Sequence, residues 1–275
     1  MIKLGILIFI LVLILILVLL LVYQGNQPSY KKTISGIILL EGEPSFNALT
    51  IQKELETKYQ FKIKKKSSND GIVILNSENY KIVMVGVDAE IPSNELEYVS
   101  KISHVWSDAL KNASRHESHI ILSVFTTLTD LVDLSIQFTK VASSILTNTK
   151  SIGIYLGGQS LILSNEYYVR NTQSMTNTNL PLGNWIYFGL RENNSKRNGY
   201  TIGLKEFGFK EIEIIDSEKT FEEIYKILYD LSHHVLLSQT DLRPGETFGY
   251  SQTEKLAIDI GAGEFQDGET IKVTV

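Results

Sequence analysis

The chain contains no cysteine. That absence excludes disulfides, zinc–thiolate sites, iron–sulfur clusters and cysteine nucleophiles, and it leaves the redox compartment open. A phosphate cradle of the form Gly-x-x-x-x-Gly-Lys-Ser/Thr is also missing. Gly261-Ala262-Gly263 follows a predicted strand, but acidic residues and a further strand come next, where a dinucleotide site needs a helix. Gly157-Gly158-Gln159-Ser160 puts a serine in a glycine turn without the Gly-x-Ser-x-Gly context of a hydrolase elbow. Basic surplus is lacking too: 26 Lys and Arg face 31 Asp and Glu, a formal net charge of −5. Such a balance argues against a nucleic-acid partner, which calls for a basic face. The one local basic stretch, Lys62, Lys64, Lys65 and Lys66, reads as a solvated strand end.

What is present begins with an apolar run. Leu4–Tyr23 carries no charge and no proline. About 20 residues at 1.5 Å each span roughly 30 Å, the hydrocarbon thickness of a bilayer. A cleaved signal peptide would have a shorter core and a small-x-small site. Here Gln24, Gly25, Asn26, Gln27 and Pro28 follow, and no lipidation cysteine is available. The expectation is a transmembrane anchor over 1–23, a tether over 24–33, and a folded region over 34–275. This predicts a single-pass protein of the cell membrane. Lys3 on one flank and Lys31 and Lys32 on the other leave its orientation open.

The folded region reads as α+β. Apolar runs predict strands at Ser35–Glu41, Ile72–Leu75, Tyr80–Val87, Ser118–Phe125 and Ser151–Leu156. Alternating apolar and basic residues predict another at Phe61–Lys65. Helical spacing predicts helices at Ala48–Tyr59, from Pro92 towards Arg115 with a break near Ser103, from Thr129 or Asp130 to Thr147, and at Glu218–Leu237. Residues 164–184 are rich in Asn, Thr and Ser and read as a loop. Strands are expected at Trp185–Leu190, Tyr200–Leu204, Glu211–Ile215, Phe248–Tyr250, Lys255–Ile260 and Thr270–Val275. Frequent hairpins favour a mixed, mainly antiparallel sheet with packed helices. The recurring strand–helix–strand–strand order suggests two ferredoxin-like halves, 34–148 and 149–275.

Two groups of side chains could carry chemistry. His104, His116 and His119 fall in one window, and imidazoles with Asp108 or Glu117 could form a metal shell. The competing reading places His116 and His119 at a helix-to-strand junction, bonded to backbone groups. His233 and His234 are adjacent on a helix, where their side chains diverge by about 100°. Glu211 and Glu213 are two apart, so a strand puts both carboxylates on one face, where they could share a proton or bind a metal, with Glu206 able to join them. The competing reading is a solvent-facing side, with Ile212 and Ile214 packed inward. Trp106 and Trp185 read as core or rim anchors.

A wider pattern runs through Trp106-Ser-Asp-Ala109, His116-Glu-Ser-His119, Thr201-Ile-Gly203-Leu204-Lys-Glu-Phe207-Gly208, and Gly245-Glu-Thr247-Phe-Gly249. It resembles the bacterial family catalogued as domain of unknown function 4261, from about Ile37 to Ile260. The resemblance implies a bacterial origin and a single α+β domain, and it carries no established activity, cofactor or catalytic residue. Anchor, mild acidity and absent catalytic motif together favour a membrane-anchored protein-binding module that uses no cofactor. An immunity-type protein that neutralises a toxin at the membrane is one concrete form. The alternatives are a metal-dependent enzyme using His104, His116 and His119, and a scaffold component of a membrane assembly.

Overall fold

The computed structural model describes residues 29–69, 71–249 and 255–275. The anchor expected at Leu4–Tyr23 lies outside them. Among the described residues no helix is long and apolar enough to cross a membrane.

The first part of the chain builds a seven-stranded antiparallel sheet. Its strands are β1 (Lys32–Leu40), β2 (Lys65–Asn69), β3 (Ile72–Asn76), β4 (Tyr80–Val87), β5 (Ser118–Thr126), β6 (Ser151–Leu156) and β7 (Leu161–Ser164), in the order β2-β3-β4-β5-β1-β6-β7. β5 is central, and its run SHIILSVFT is buried at nearly every position, as a strand covered on both faces must be.

Five α-helices accompany this sheet: α1 (Ala48–Thr57), α2 (Ser93–Ile102), α3 (Ala109–Ala113), α4 (Leu131–Asn148) and α5 (Asn165–Gln173). Asn47 caps α1 by accepting from the N–H groups of Leu49 and Thr50, and Asp130 caps α4 by accepting from Val132 and Asp133. On one face of the sheet, Ile51 and Leu55 of α1 and Leu134, Phe138, Val141 and Ile145 of α4 share a core with Ile38, Leu40, Ile120 and Leu122. On the other, Leu96 and Val99 of α2 and Ala109 and Ala113 of α3 pack on Ile37, Leu39 and Ile162. The expected helix from Pro92 is thus two helices, the second starting after Asp108 in a left-handed conformation.

The second part forms a six-stranded sheet from β8 (Tyr187–Asn193), β9 (Lys196–Ile202), β10 (Ile212–Ser217), β11 (Thr247–Gly249), β12 (Lys255–Ala262) and β13 (Glu269–Thr274), in the order β11-β12-β13-β10-β9-β8. Among the described residues of this sheet only the β10–β13 pair is parallel. Asn194 and Ser195 both take positive φ and close the β8–β9 hairpin. α6 (Phe221–Ser238) begins in a capping box of Thr220 and Glu223, and buries Ile224, Ile227, Leu228 and Leu231 against this sheet. α4 joins the two parts. Its Ile136 belongs to the second core, and its Thr139 hydroxyl accepts from Trp185 Nε1–H at 2.8 Å.

Three expectations need correction. Residues 164–184 are not one loop: Ser164 caps α5 by accepting from Tyr167 N–H, and Tyr168 is fully buried. The polar composition masked a stripe of only a few aromatic side chains. The strand expected at Phe61–Lys65 starts at Lys65 instead, because β2 is an edge strand with a polar sequence, KKSSN, formed by pairing with β3. The halves are not ferredoxin-like, since the sheets have seven and six strands and the first continues past residue 148 through β6 and β7.

Candidate functional site

The two glutamates prominent in the sequence are both buried: Glu211 is 1% exposed and Glu213 0%. The solvent-facing reading is therefore wrong. Alternation does turn them away from Ile212 and Ile214, but the chain folds back over that side as two loops. Glu211 Oε1 accepts from Gly203 N–H at 2.8 Å and Lys205 N–H at 3.1 Å, and Oε2 accepts from Leu204 N–H at 3.2 Å and the Thr201 hydroxyl at 2.6 Å. Three successive backbone N–H groups make an anion nest, with a carboxylate of the same chain inside it. Glu206 is exposed and lies beside Gly158, away from this pair.

Glu213 binds a different loop. Its carboxylate accepts from Glu264 N–H at 3.0 Å, Phe265 N–H at 2.9 Å, the Thr270 hydroxyl at 3.1 Å and Lys272 Nζ at 2.5 Å. Lys272 also lies 3.8 Å from Glu264. Burial by itself pushes the Glu213 carboxyl up, but Lys272 and the two backbone N–H groups outweigh it and hold the group below the ordinary glutamate value. Held this way, Phe265 stacks on Tyr200 at 4.8 Å, and the Arg191 guanidinium lies over both rings. A carboxylate offers about four lone-pair sites. Each glutamate receives four donors, so both act as internal braces and neither has capacity left for a metal or a substrate proton.

The histidines do not assemble. His116 sits between the α3 end and β5, where Nε2 accepts from Ile91 N–H at 2.7 Å and Nδ1 lies 2.7 Å from the Ala113 carbonyl. His119 Nδ1 meets the Ala89 carbonyl at 2.7 Å. His104 is elsewhere, against Tyr187 at 5.6 Å, with its ring bonded to the Ile102 carbonyl. Burial holds both His104 and His119 below the ordinary histidine value, against the upward pull of those carbonyls, so both are neutral at pH 7. Among the described residues no three His, Asp or Glu side chains could hold a metal together. His233 stacks on Tyr229, and His234 meets Phe248 edge-on.

Sequence reasoning missed a large concave feature. A groove of about 1100 Å³ lies between the β1–α1 connection, the β2–β3 hairpin and the C-terminal end of α4. Pro44, Phe46 and Leu49 supply its apolar surface, and Glu41, Glu43, Lys66 and Lys150 its charges. Leu49 is 67% exposed although it follows a helix cap. Arg115 pairs with Glu41 at the rim. The registers Leu40↔Ser118 and Val87↔His119 bring exposed Asp88, Glu90 and Glu117 to the same end of the sheet. Pro44, Phe46 and Leu49, three apolar side chains within six residues, were the available signal.

A family model described as a domain of unknown function (DUF4261) matches residues 200–274. Those residues resemble DUF4261. The match takes in Thr201, Gly203, Leu204, Phe207, Gly208, Gly245, Thr247 and Gly249, while Trp106, His116 and His119 lie outside it. No curated protein and no solved structure matches the chain. In the DUF4261 region the prominent residues are those of the carboxylate cage: Thr201, Gly203 and Leu204 bond Glu211, while Leu204 and Phe207 fill the core beside it. Trp106, by contrast, packs beneath Gly153 in the first sheet.

Gly203 is a tight point of the cage around Glu211. Its φ is +131°, and a Cβ there would lie 2.5 Å from the Trp185 carbonyl oxygen. Gly203→Ala adds backbone strain to a clash with backbone that has no rotamer to escape into. The expected loss is about 3 kcal/mol of unfolding free energy, read from urea unfolding followed by tryptophan fluorescence.

Proposed function

We propose that the chain is a membrane-tethered binding module whose groove beside Glu41–Leu49 receives a basic segment of a protein partner. The observation that carries this reading is the groove itself: exposed Leu49 and half-buried Phe46 among Glu41, Glu43, Lys66 and Lys150, with Asp88, Glu90 and Glu117 exposed at the same end of the sheet. Apolar contacts would supply affinity, and the surplus of acids at this end of the sheet would speed and orient encounter with a cationic partner. The apolar run Leu4–Tyr23 supports tethering, since it has bilayer length and no charge. A toxin neutralised at the membrane is one partner of this kind. The enzyme alternative has lost support, because Glu211 and Glu213 are saturated and His116 uses both ring nitrogens.

The test uses the full-length chain in the membranes of its native host. A photo-crosslinking residue replaces Phe46 or Leu49, with Asp230 on α6 as the control position. One discrete protein adduct at 46 and 49, absent at 230 and lost when Glu41 and Glu43 are changed to Lys, is the expected result. Adducts of equal yield from all three positions, or none, would discard the groove as the binding site. Recovery of the full-length chain from the soluble fraction would discard the tether.

A further inference from the structure

We infer that the end of the first sheet where the chain enters from its N-terminal segment is a docking face for an anionic lipid headgroup surface. The inference rests on the proposed tether and adds how the domain is held once tethered. The registers Lys32↔Thr126, Tyr80↔Thr126, Asn76↔Lys81 and Lys65↔Asn76 place the start of β1, the end of β5, the β3–β4 turn and the start of β2 at one end of the sheet. Five exposed lysines meet there: Lys31, Lys32, Lys62, Lys64 and Lys65. Two lysine groups far apart in sequence thereby share one sheet end, with β3, β4 and β5 between them, on a protein of net charge −5.

The acids at this end are few and engaged. Glu78 lies 4.0 Å from Lys64, Asp130 caps α4, and Asp133 accepts from the Tyr80 hydroxyl. The opposite end of the same sheet carries Glu41, Glu43, Asp88, Glu90 and Glu117, with Lys66, Arg115 and Lys150. The domain therefore has an electrical polarity along its strands, and an anionic surface would draw in the tethered end and repel the groove end.

Apolar contacts at the basic end suit the same surface. Leu128, in the β5–α4 loop, is exposed, and Tyr30 packs on Phe125 at 5.9 Å, with buried Lys81 5.8 Å from its ring. Aromatic rings and lysines together are the usual occupants of the headgroup layer. From Gln24 to Tyr30 is seven residues, a reach of at most about 25 Å. The patch thus stays within a few screening lengths of the bilayer, each about 8 Å at physiological salt. Edge protection is the competing explanation for lysines on a sheet rim. It accounts for Lys65 on edge strand β2, but not for Lys31 and Lys32 at the start of interior β1.

The test reconstitutes the full-length chain into vesicles of phosphatidylcholine alone or with phosphatidylglycerol. A fluorophore sits at residue 128 or, as control, at residue 43, and a quencher is carried on the headgroups. Quenching at 128, and not at 43, is expected to rise with phosphatidylglycerol and to collapse in high salt. Changing Lys31, Lys32, Lys62 and Lys65 to Gln should lower the ratio of docked to undocked domain by roughly fivefold per lysine, with co-flotation unchanged. Quenching at 128 that ignores lipid charge or the four substitutions overturns the inference. The same indifference to lipid, with loss of a cross-linked protein in the lysine variant, would make the face a protein interface. Failure to float with phosphatidylcholine vesicles sinks the tether itself and the docking face with it, an outcome distinct from tethering without charge dependence.

Discussion

Glu211→Ala lowers the unfolding free energy by about 4 kcal/mol. The substitution strands the N–H groups of Gly203, Leu204 and Lys205 and the Thr201 hydroxyl in a buried site. Each unmatched buried donor costs roughly 1–3 kcal/mol, and entry of water into the vacated space offsets part of the sum. At 2–4 °C per kcal/mol for a domain of this size, the thermal midpoint falls by roughly 10 °C. Glu211→Gln separates packing from hydrogen bonding. It keeps the shape but turns an amide NH₂ towards donors, so it should recover only about half of the loss. Urea unfolding followed by tryptophan fluorescence measures both variants. An alanine variant within 1 kcal/mol of the parent would mean that the nest does not depend on its carboxylate.

The second large effect is at the ion pair. Lys272→Met leaves the Glu213 charge buried with only neutral donors, and removing one partner of a buried pair costs about 3–5 kcal/mol. The double variant Glu213→Gln/Lys272→Met should be less damaged than the sum of its parts, because the orphaned charge is gone. Acidity provides an independent readout. In the parent the folded-state carboxyl lies below its unfolded value, so its contribution is present above about pH 4.3 and is lost as the pH falls through the folded value. Without Lys272, burial becomes the governing influence and pushes the carboxyl up, so acidification relieves the variant where it weakens the parent. The stability gap between the two proteins therefore narrows as pH falls. A gap that stays constant from pH 7 to pH 4 would show that Lys272 acts through its hydrocarbon stem alone.

The site was less legible than the fold. Glu211 and Glu213 are visible as an alternating pair, and the strand beneath them forms nearly where expected. Their environment was not visible, because the loops that cover them are supplied by Gly203–Lys205 and by Glu264–Thr270, the latter more than fifty residues away in sequence. The reading of His116 and His119 as a polar helix-to-strand junction succeeded because it depended on local order, α3 running straight into β5. The groove stayed hidden for the opposite reason. Its walls come from the β1–α1 connection, the β2–β3 hairpin and the last residues of α4, and no local pattern announces that such segments converge.

By itself the sequence determined the α+β class, most strands and helices, a helix start at Thr129 or Asp130, the exclusion of cysteine chemistry and the resemblance to DUF4261. Each depends on periodicity, on a side chain meeting its own neighbouring backbone, or on residue identity, and all of these act over short stretches of chain. Only the tertiary structure decided that the glutamates are internal braces, that α4 joins the two sheets, and that exposed lysines collect at one sheet end while the groove forms at the other. Strand order and register set those outcomes: antiparallel pairing returns distant segments to the same edge, and which charges then lie side by side depends on the alignment of whole strands.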